Sequence, residues 1–181
     1  MDLRCWILAA ALVSIACDAP ELAFRPAPSS RLAPVPASEV RLVGVSSELL
    51  EGDALRSRAR AKELRVDRRS GALSASLISV ERFDRASQSP AGTLSADRAT
   101  GHVTRRDVQL EGKVVVTDRE GLRATTERAQ YLESEGSLRL PCDVLLQGDN
   151  FEAVGAGAVY WLGTENLEVA PPVRARLGPP P

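Results

Sequence analysis

From about residue 39 onward, apolar and polar residues alternate along short stretches of the chain. The clearest alternating pairs are Leu138/Leu140, Val144/Leu146, Leu167/Val169 and Val114/Val116. A period of two is typical of β-strands that bury one face. Clusters of turn-forming residues separate the stretches, at 67–71, 134–136, 148–150 and 164–166. The pattern predicts an all-β domain built from short strands.

The strands form a repeat. Ala96, Ala124 and Ala153 occupy equivalent positions, 28 and 29 residues apart, and an earlier unit covers 55–73. Each unit is predicted to hold a strand, a kink, a second short strand, a glycine turn and a third strand. Residues 48–66 and 122–133 are also rich in helix formers. The equivalent segment of the last unit, 151–161, has two glycines in its middle and would make a poor helix, so strands are predicted throughout.

The N-terminal residues 1–17 have the features of a bacterial export signal. Residues 5–16 form a run of twelve mostly apolar residues, shorter than the roughly twenty that a membrane-spanning helix needs. The run is typical of a signal peptide and ends in Ser14-Ile15-Ala16-Cys17, which resembles a lipobox, although a branched aliphatic residue is usual in place of Ser14. We expect lipidation at Cys17. Ordinary signal cleavage and an uncleaved anchor are the alternatives, and all three place the remaining chain outside the cytoplasm.

Residues 18–38 are predicted to be a spacer. The segment contains Pro20, Pro26, Pro28, Pro34 and Pro36, which exclude a helix or a central strand. A semi-extended linker would hold the folded domain, predicted at 39–178, away from the membrane.

Composition limits the function classes. The net charge of -1 favours neither nucleic acid nor another polyelectrolyte as a partner. With three cysteines and one histidine, no spacing suggests a metal site, and there is no nucleotide-binding loop. His102 is expected in a surface turn, and Cys142 as a lone thiol. The carboxylates Asp118 and Glu120, which lie near each other, fit a hairpin turn better than a catalytic pair, and we predict no enzyme, metal or cofactor.

Three segments, 92–121, 121–140 and 149–177, carry a resemblance to the LptC family of lipopolysaccharide export. They share the sequence pattern small-x-x-Ala-x-Tyr, an acidic-Gly turn, an alternating strand and Val-x-Leu-x-Gly. The export proteins LptA and LptD have related repeats, and the N-terminal anchor favours LptC. The best-known members use a transmembrane helix, for which this leader is too short.

The resemblance implies an open, twisted antiparallel β-jellyroll of the OstA/LptA type. Lipopolysaccharide acyl chains would lie between two sheets, in a periplasmic protein anchored to the inner membrane. The implied partners are an LptB/LptF/LptG-type ABC transporter at one sheet edge and an LptA-like protein at the other.

Within this jellyroll, inward positions are expected to form the lipid groove. They are Ala59, Val66, Ala96, Leu122, Ala124, Tyr131, Leu138, Leu146, Phe151, Ala153 and Tyr160. Small side chains would leave room for acyl chains, which gain about 0.8 kcal/mol per buried CH₂. The same positions also fit an ordinary core, with alanines where the sheets come close.

The last strand is predicted to be a free edge for partner docking. It consists of Val173, Arg174, Ala175, Arg176 and Leu177, followed by Gly178 and three prolines. A second arginine set, Arg56, Arg58 and Arg60, would share one strand face, which we expect to be solvated; contact with lipid phosphate or an acidic partner is the alternative.

Two rival functions remain open. A structural or adhesive β-repeat protein would pack its sheets shut and carry no lipid. A β-helix carbohydrase would need a convergent acidic site, for which the sequence offers no repeated inward carboxylates.

Overall fold

A computed structural model describes residues 38–84, 86–105, 107–162, 164 and 166–178. The predicted leader, Cys17 and nearly all of the spacer lie outside these residues. The described chain contains twelve strands and one short 3-10 turn, Glu133–Glu135. The strands are β1 (Glu39–Glu51), β2 (Ala54–Asp67), β3 (Ala72–Phe83), β4 (Pro90–His102), β5 (Val108–Asp118), β6 (Arg123–Leu132), β7 (Ser137–Leu140), β8 (Val144–Gly148), β9 (Phe151–Gly155), β10 (Gly157–Trp161), β11 (Asn166–Ala170) and β12 (Arg174–Leu177).

The prediction of an all-β fold is confirmed, and every strand pairing is antiparallel. The two segments rich in helix formers belong to β1, β2 and β6. The expected short strands occur only from β7 onward. Before that, the predicted pairs of strands around a kink are single irregular strands of 10 to 14 residues.

The irregularities of these long strands fall near their middles. Leu77 in β3 and Lys113 in β5 have positive φ, and β4 loses register with β5 between Ser95 and Arg98. Two successive side chains point outward at such a point, so the buried face continues with its alternation shifted. The buried residues that flank these points are Ala61 and Leu64, Ala75 and Ile78, Ala96 and Ala99, and Thr126 and Ala129.

The irregular points divide the sheet into two layers, which separate fully at β6. The first half of β6 pairs with β8, which continues to β9 and β12, whereas its second half pairs with β7, which continues to β10 and β11. Layer I contains 45–51, 54–61, 78–83, 90–96, 114–118 and 123–126 with β8, β9 and β12. Layer II contains 39–43, 63–67, 72–76, 98–102, 108–111 and 128–132 with β7, β10 and β11.

The two layers enclose one hydrophobic core. Buried residues from both layers form a single contiguous cluster, in which Tyr131, Leu64, Leu138, Leu140, Val114 and Val144 are the largest fully buried apolar side chains. The interior is otherwise built mainly from alanine, valine and leucine, as the low aromatic content requires. This arrangement agrees with the jellyroll expectation of two facing layers.

Aspartates organise three of the turns between strands. Asp67, Asp84 and Asp118 each accept two backbone N–H groups of the following turn at Oδ1, at 2.8–2.9 Å. These bonds hold the pKa of Asp67 and of Asp84 below the usual value, in Asp84 chiefly through the N–H and hydroxyl of Ser87. Asp118 therefore has the turn role expected from the sequence.

His102 differs from its expected position. It is the last residue of β4 and is half-buried, not a surface turn residue. Its Nε2 lies 2.6 Å from the Ser70 carbonyl oxygen, and its Nδ1 accepts the N–H of Thr104 at 3.2 Å. The imidazole thus links the β2–β3 turn to the β4–β5 turn, a structural role.

Candidate functional site

The space between the layers contains an apolar cavity of about 30 Å³. Val80, Leu94 and Val116 of layer I face Leu138 and Tyr160 of layer II across it. A neighbouring cavity of about 20 Å³ shares Val116, Leu138 and Tyr160 and extends toward the β5–β6 hairpin. Together the two cavities mark one seam, which we call the groove, along which the layers are incompletely packed.

All eleven residues predicted for the groove lie on the inner face. Eight of them are buried: Ala59, Ala96, Ala124, Tyr131, Leu138, Leu146, Ala153 and Tyr160. The other three, Val66, Leu122 and Phe151, are half-buried and pack against the core. Only Leu122, Ala124, Leu138 and Tyr160 line the two cavities.

The sequence left open whether the inward alanines line the lipid groove or lie where the two layers pack closely, and the structure contains both kinds. Ala96 flanks the irregular point of β4 and is fully enclosed by the converging layers, which fits close packing. Ala124 lines the second cavity, beside Leu122, where a larger side chain would fill the groove. The alanine near the middle of its strand, Ala96, thus packs between the layers, whereas Ala124, near the start of its strand, borders the groove.

Several groove residues were not predicted from the sequence. The apolar ones are Val80, Ala91, Leu94, Val116, Leu140, Leu162 and Leu167. Arg82 was also missed, although it continues the inward series Ile78, Val80 at a spacing of two. That alternation is the signal that would have found it.

Three strand edges are unpaired within the described chain: β1 at the N-terminal end, and β11 and β12 at the C-terminal end. The predicted edge strand corresponds to β12, which Val173 precedes and which pairs only with β9. Leu177 lies opposite the half-buried Phe151 and is 86% exposed. At this end, the apolar inner face therefore reaches solvent.

The outer face of the N-terminal strands carries ion pairs between strands. Arg58 pairs with Glu48 at 2.8 Å, and Arg41 pairs with Glu63 at 2.6 Å. Hydrogen bonds from Arg41 and Arg65 lower the pKa of Glu63. Arg60, in the same strand as Arg58, is exposed. Arg58 and Arg60 thus agree with the expected solvated face, whereas the Arg56 side chain is only 13% exposed and pairs with Glu51 at 3.2 Å.

The described residues contain no cluster of three or more side chains able to hold a metal ion. Cys142 is a free, half-buried thiol, as expected. Among the same residues, no helix is long and apolar enough to span a membrane.

Comparison with known proteins identifies a family. The family model described as "Lipopolysaccharide-assembly, LptC-related" matches residues 46–177. Among solved structures, the chain is similar to LptH from Pseudomonas aeruginosa, described as the LptA-homologous periplasmic component of the conserved lipopolysaccharide transport device. The TM-score is 0.52 at 12% identity, over 68% of this chain and 95% of that chain, which is a likeness of fold. No curated protein sequence matches.

Proposed function

The chain belongs to the LptC-related family of lipopolysaccharide-assembly proteins, and from this premise we propose that it binds lipopolysaccharide in the groove. In this proposal it receives the lipid from an inner-membrane ABC transporter of the LptB/LptF/LptG type and passes it to an LptA-like protein. The role is non-enzymatic and needs no cofactor, because the energy for transport comes from the transporter.

One combined observation carries the proposal. The space between the layers is lined mainly by apolar side chains, and the described sheet has unpaired strands at both of its ends. A structural β-repeat protein would be expected to fill even these small cavities and to cover its edge strands. An acyl chain between the layers would contact apolar side chains on both sides, gaining about 0.8 kcal/mol per buried CH₂.

The unpaired edges support docking of two partners, one at each end of the described sheet. A free strand binds a partner by continuing the sheet, with main-chain hydrogen bonds supplying affinity. We assign β12 to the LptA-like protein and β1 to the transporter's periplasmic domain, with residues 173–177 forming the docking edge. Lipidation of Cys17, followed by the spacer, would anchor the domain to the inner membrane.

Matched charge substitutions test the groove. Ala153→Arg places a charge on the buried inner face, at a cost of a few kcal/mol if no partner is found. Val154→Arg places the same charge one residue further along β9, on the outer face, where Val154 is 43% exposed. Ala124→Arg repeats the inner-face change beside the cavity.

We expect both inner-face variants to lose photo-crosslinking to lipopolysaccharide, and Val154→Arg to keep it. Circular dichroism of all three variants separates lost binding from lost folding. Folded inner-face variants that bind lipid normally would contradict the groove assignment. A wild-type protein that never crosslinks to lipid would favour the structural β-repeat protein.

A further inference from the structure

Arg82 points from β3 toward the space between the layers. It follows Ile78 and Val80 at a spacing of two, and both of those side chains are only 4% exposed. Its register partner on β2 is Ser57, which is fully buried on the inner face. Arg82 lines the larger of the two groove cavities together with Val80. An arginine at such a place can pack its aliphatic stem against apolar side chains and keep its charged end in water.

The guanidinium of Arg82 has no protein partner within the described chain. The half-buried arginines Arg41, Arg56 and Arg58 each pair with a carboxylate. Arg82 is half-buried too, yet makes no hydrogen bond or ion pair with the described residues. A cation beside an apolar cavity is unfavourable unless water or an anion satisfies its donors. The arrangement leaves these donors available to a ligand in the groove.

Arg82, Gly92 and Asp118 together line one border of the larger groove cavity, which we call the rim. The register places Arg82, Gly92 and Asp118 side by side on three adjacent strands, with the outer two Cα atoms about 10 Å apart. Gly92 has a φ of +151°, and an added Cβ would lie 2.8 Å from the Thr117 carbonyl oxygen. Because this close backbone approach leaves no room for a Cβ, glycine is required at the position, and no side chain lies between Arg82 and Asp118 on the three strands.

Asp118 presents a complementary acceptor on the other side of Gly92. Its Oδ1 is occupied by the N–H groups of Glu120 and Leu122. Its Oδ2 makes no hydrogen bond to the described part of the chain. The rim therefore offers a forked cationic donor and a carboxylate acceptor on either side of Gly92.

We propose that this rim recognises a phosphorylated sugar head group, with Arg82 binding the phosphate and Asp118 Oδ2 accepting a sugar hydroxyl. The inference rests on the proposed function, because acyl chains held in the groove would bring the head group to the rim. Arginine suits the task because its planar fork binds phosphate with two parallel hydrogen bonds. The rim adds head-group selectivity to a groove that otherwise recognises only apolar chains.

The experiment measures binding of two acylated disaccharides to the full chain, one phosphorylated and one enzymatically dephosphorylated, with inorganic phosphate as a third ligand. The variants are Arg82→Gln, Arg82→Lys and the control Arg60→Gln, which removes an exposed outer-face arginine. We expect Arg82→Gln to weaken binding of the phosphorylated lipid about tenfold, roughly 1.4 kcal/mol, and to leave the dephosphorylated lipid unchanged. Arg82→Lys should retain part of the preference for the phosphorylated over the dephosphorylated lipid, and Arg60→Gln should retain all of it.

Each outcome has a distinct meaning once thermal melting has shown that the variants fold. Equal binding of the phosphorylated lipid by wild type and Arg82→Gln overturns the head-group assignment while leaving the groove intact. Failure of both lipids to bind wild type overturns the proposed function itself. Binding of inorganic phosphate alone, with the same affinity as the phosphorylated lipid, overturns the lipid source and leaves a free-anion site. If Arg82→Gln does not fold, an unchanged lipid preference in Arg82→Lys overturns the forked phosphate contact.

Discussion

Leu138→Ala tests whether the two layers pack against each other in the absence of lipid. Leu138 is 2% exposed and lines both cavities from layer II. Removing three apolar carbons forfeits about 2.4 kcal/mol of transfer free energy at about 0.8 kcal/mol per group. Core Leu→Ala changes cost about 2–5 kcal/mol once the remaining cavity is included. Because the site already borders small cavities, the layers can relax, and we expect a loss of about 3 kcal/mol.

Thermal unfolding of the lipid-free protein measures this loss. A domain of this size shifts by about 3 °C for each kcal/mol, so the melting temperature should fall by about 10 °C. Leu77→Ala is the matched control, because Leu77 is 55% exposed and the same atoms are removed; its free energy of unfolding should change by less than about 0.5 kcal/mol. If Leu138→Ala melts within the same small range as the control, the closed packing of the layers is refuted.

Three further predictions concern pH and the two ends of the chain. The folded pKa of Asp84 lies below its unfolded value, so the stabilisation by its carboxylate is present at neutral pH and is lost as the pH falls through the folded pKa. Asp84→Asn should therefore flatten the decline of the melting temperature below about pH 4. A decline equal to that of the wild type would contradict this prediction. Deleting residues 170–181 should abolish pulldown of an LptA-like partner but not lipid binding. The double substitution Arg174→Ala and Arg176→Ala should preserve pulldown, because strand addition uses main-chain groups. If the truncated protein still binds the partner, β1 is the better docking candidate. Mass spectrometry should find an acylated N-terminus at Cys17, and an unmodified start elsewhere would exclude lipidation there.

The sequence predicted the inner face best where the strands are short. Leu138, Leu140, Val144 and Leu146 keep strict alternation, and all four are buried as the pattern requires. The same rule fails across the long strands, because two outward residues in succession shift the alternation at each irregular point. The repeat compensated for this, since equivalent positions such as Ala96 could be compared between units.

No local sequence pattern could have predicted the division of the sheet into two layers. It depends on which strand each half of β6 pairs with, and those partners are distant in sequence. Arg82 was missed for a related reason: its direction follows from β3 alternation, but its place beside Gly92 and Asp118 arises from the register of β4 and β5. Local alternation predicts which face of a strand a side chain lies on, whereas predicting a binding site also requires knowing which residues of neighbouring strands lie beside it.

The size of the groove imposes a condition on the proposed function. A cavity of about 30 Å³ is far smaller than the roughly 150 Å³ that accommodates a benzene molecule. Lipid loading therefore requires the layers to separate. The irregular points of the long strands provide a line about which they can do so, because Leu77 and Lys113 already leave regular β-geometry there. Hinging at that line would widen the seam at Leu138 and Tyr160 while keeping the strand pairings within each layer, so opening need not unfold the sheet.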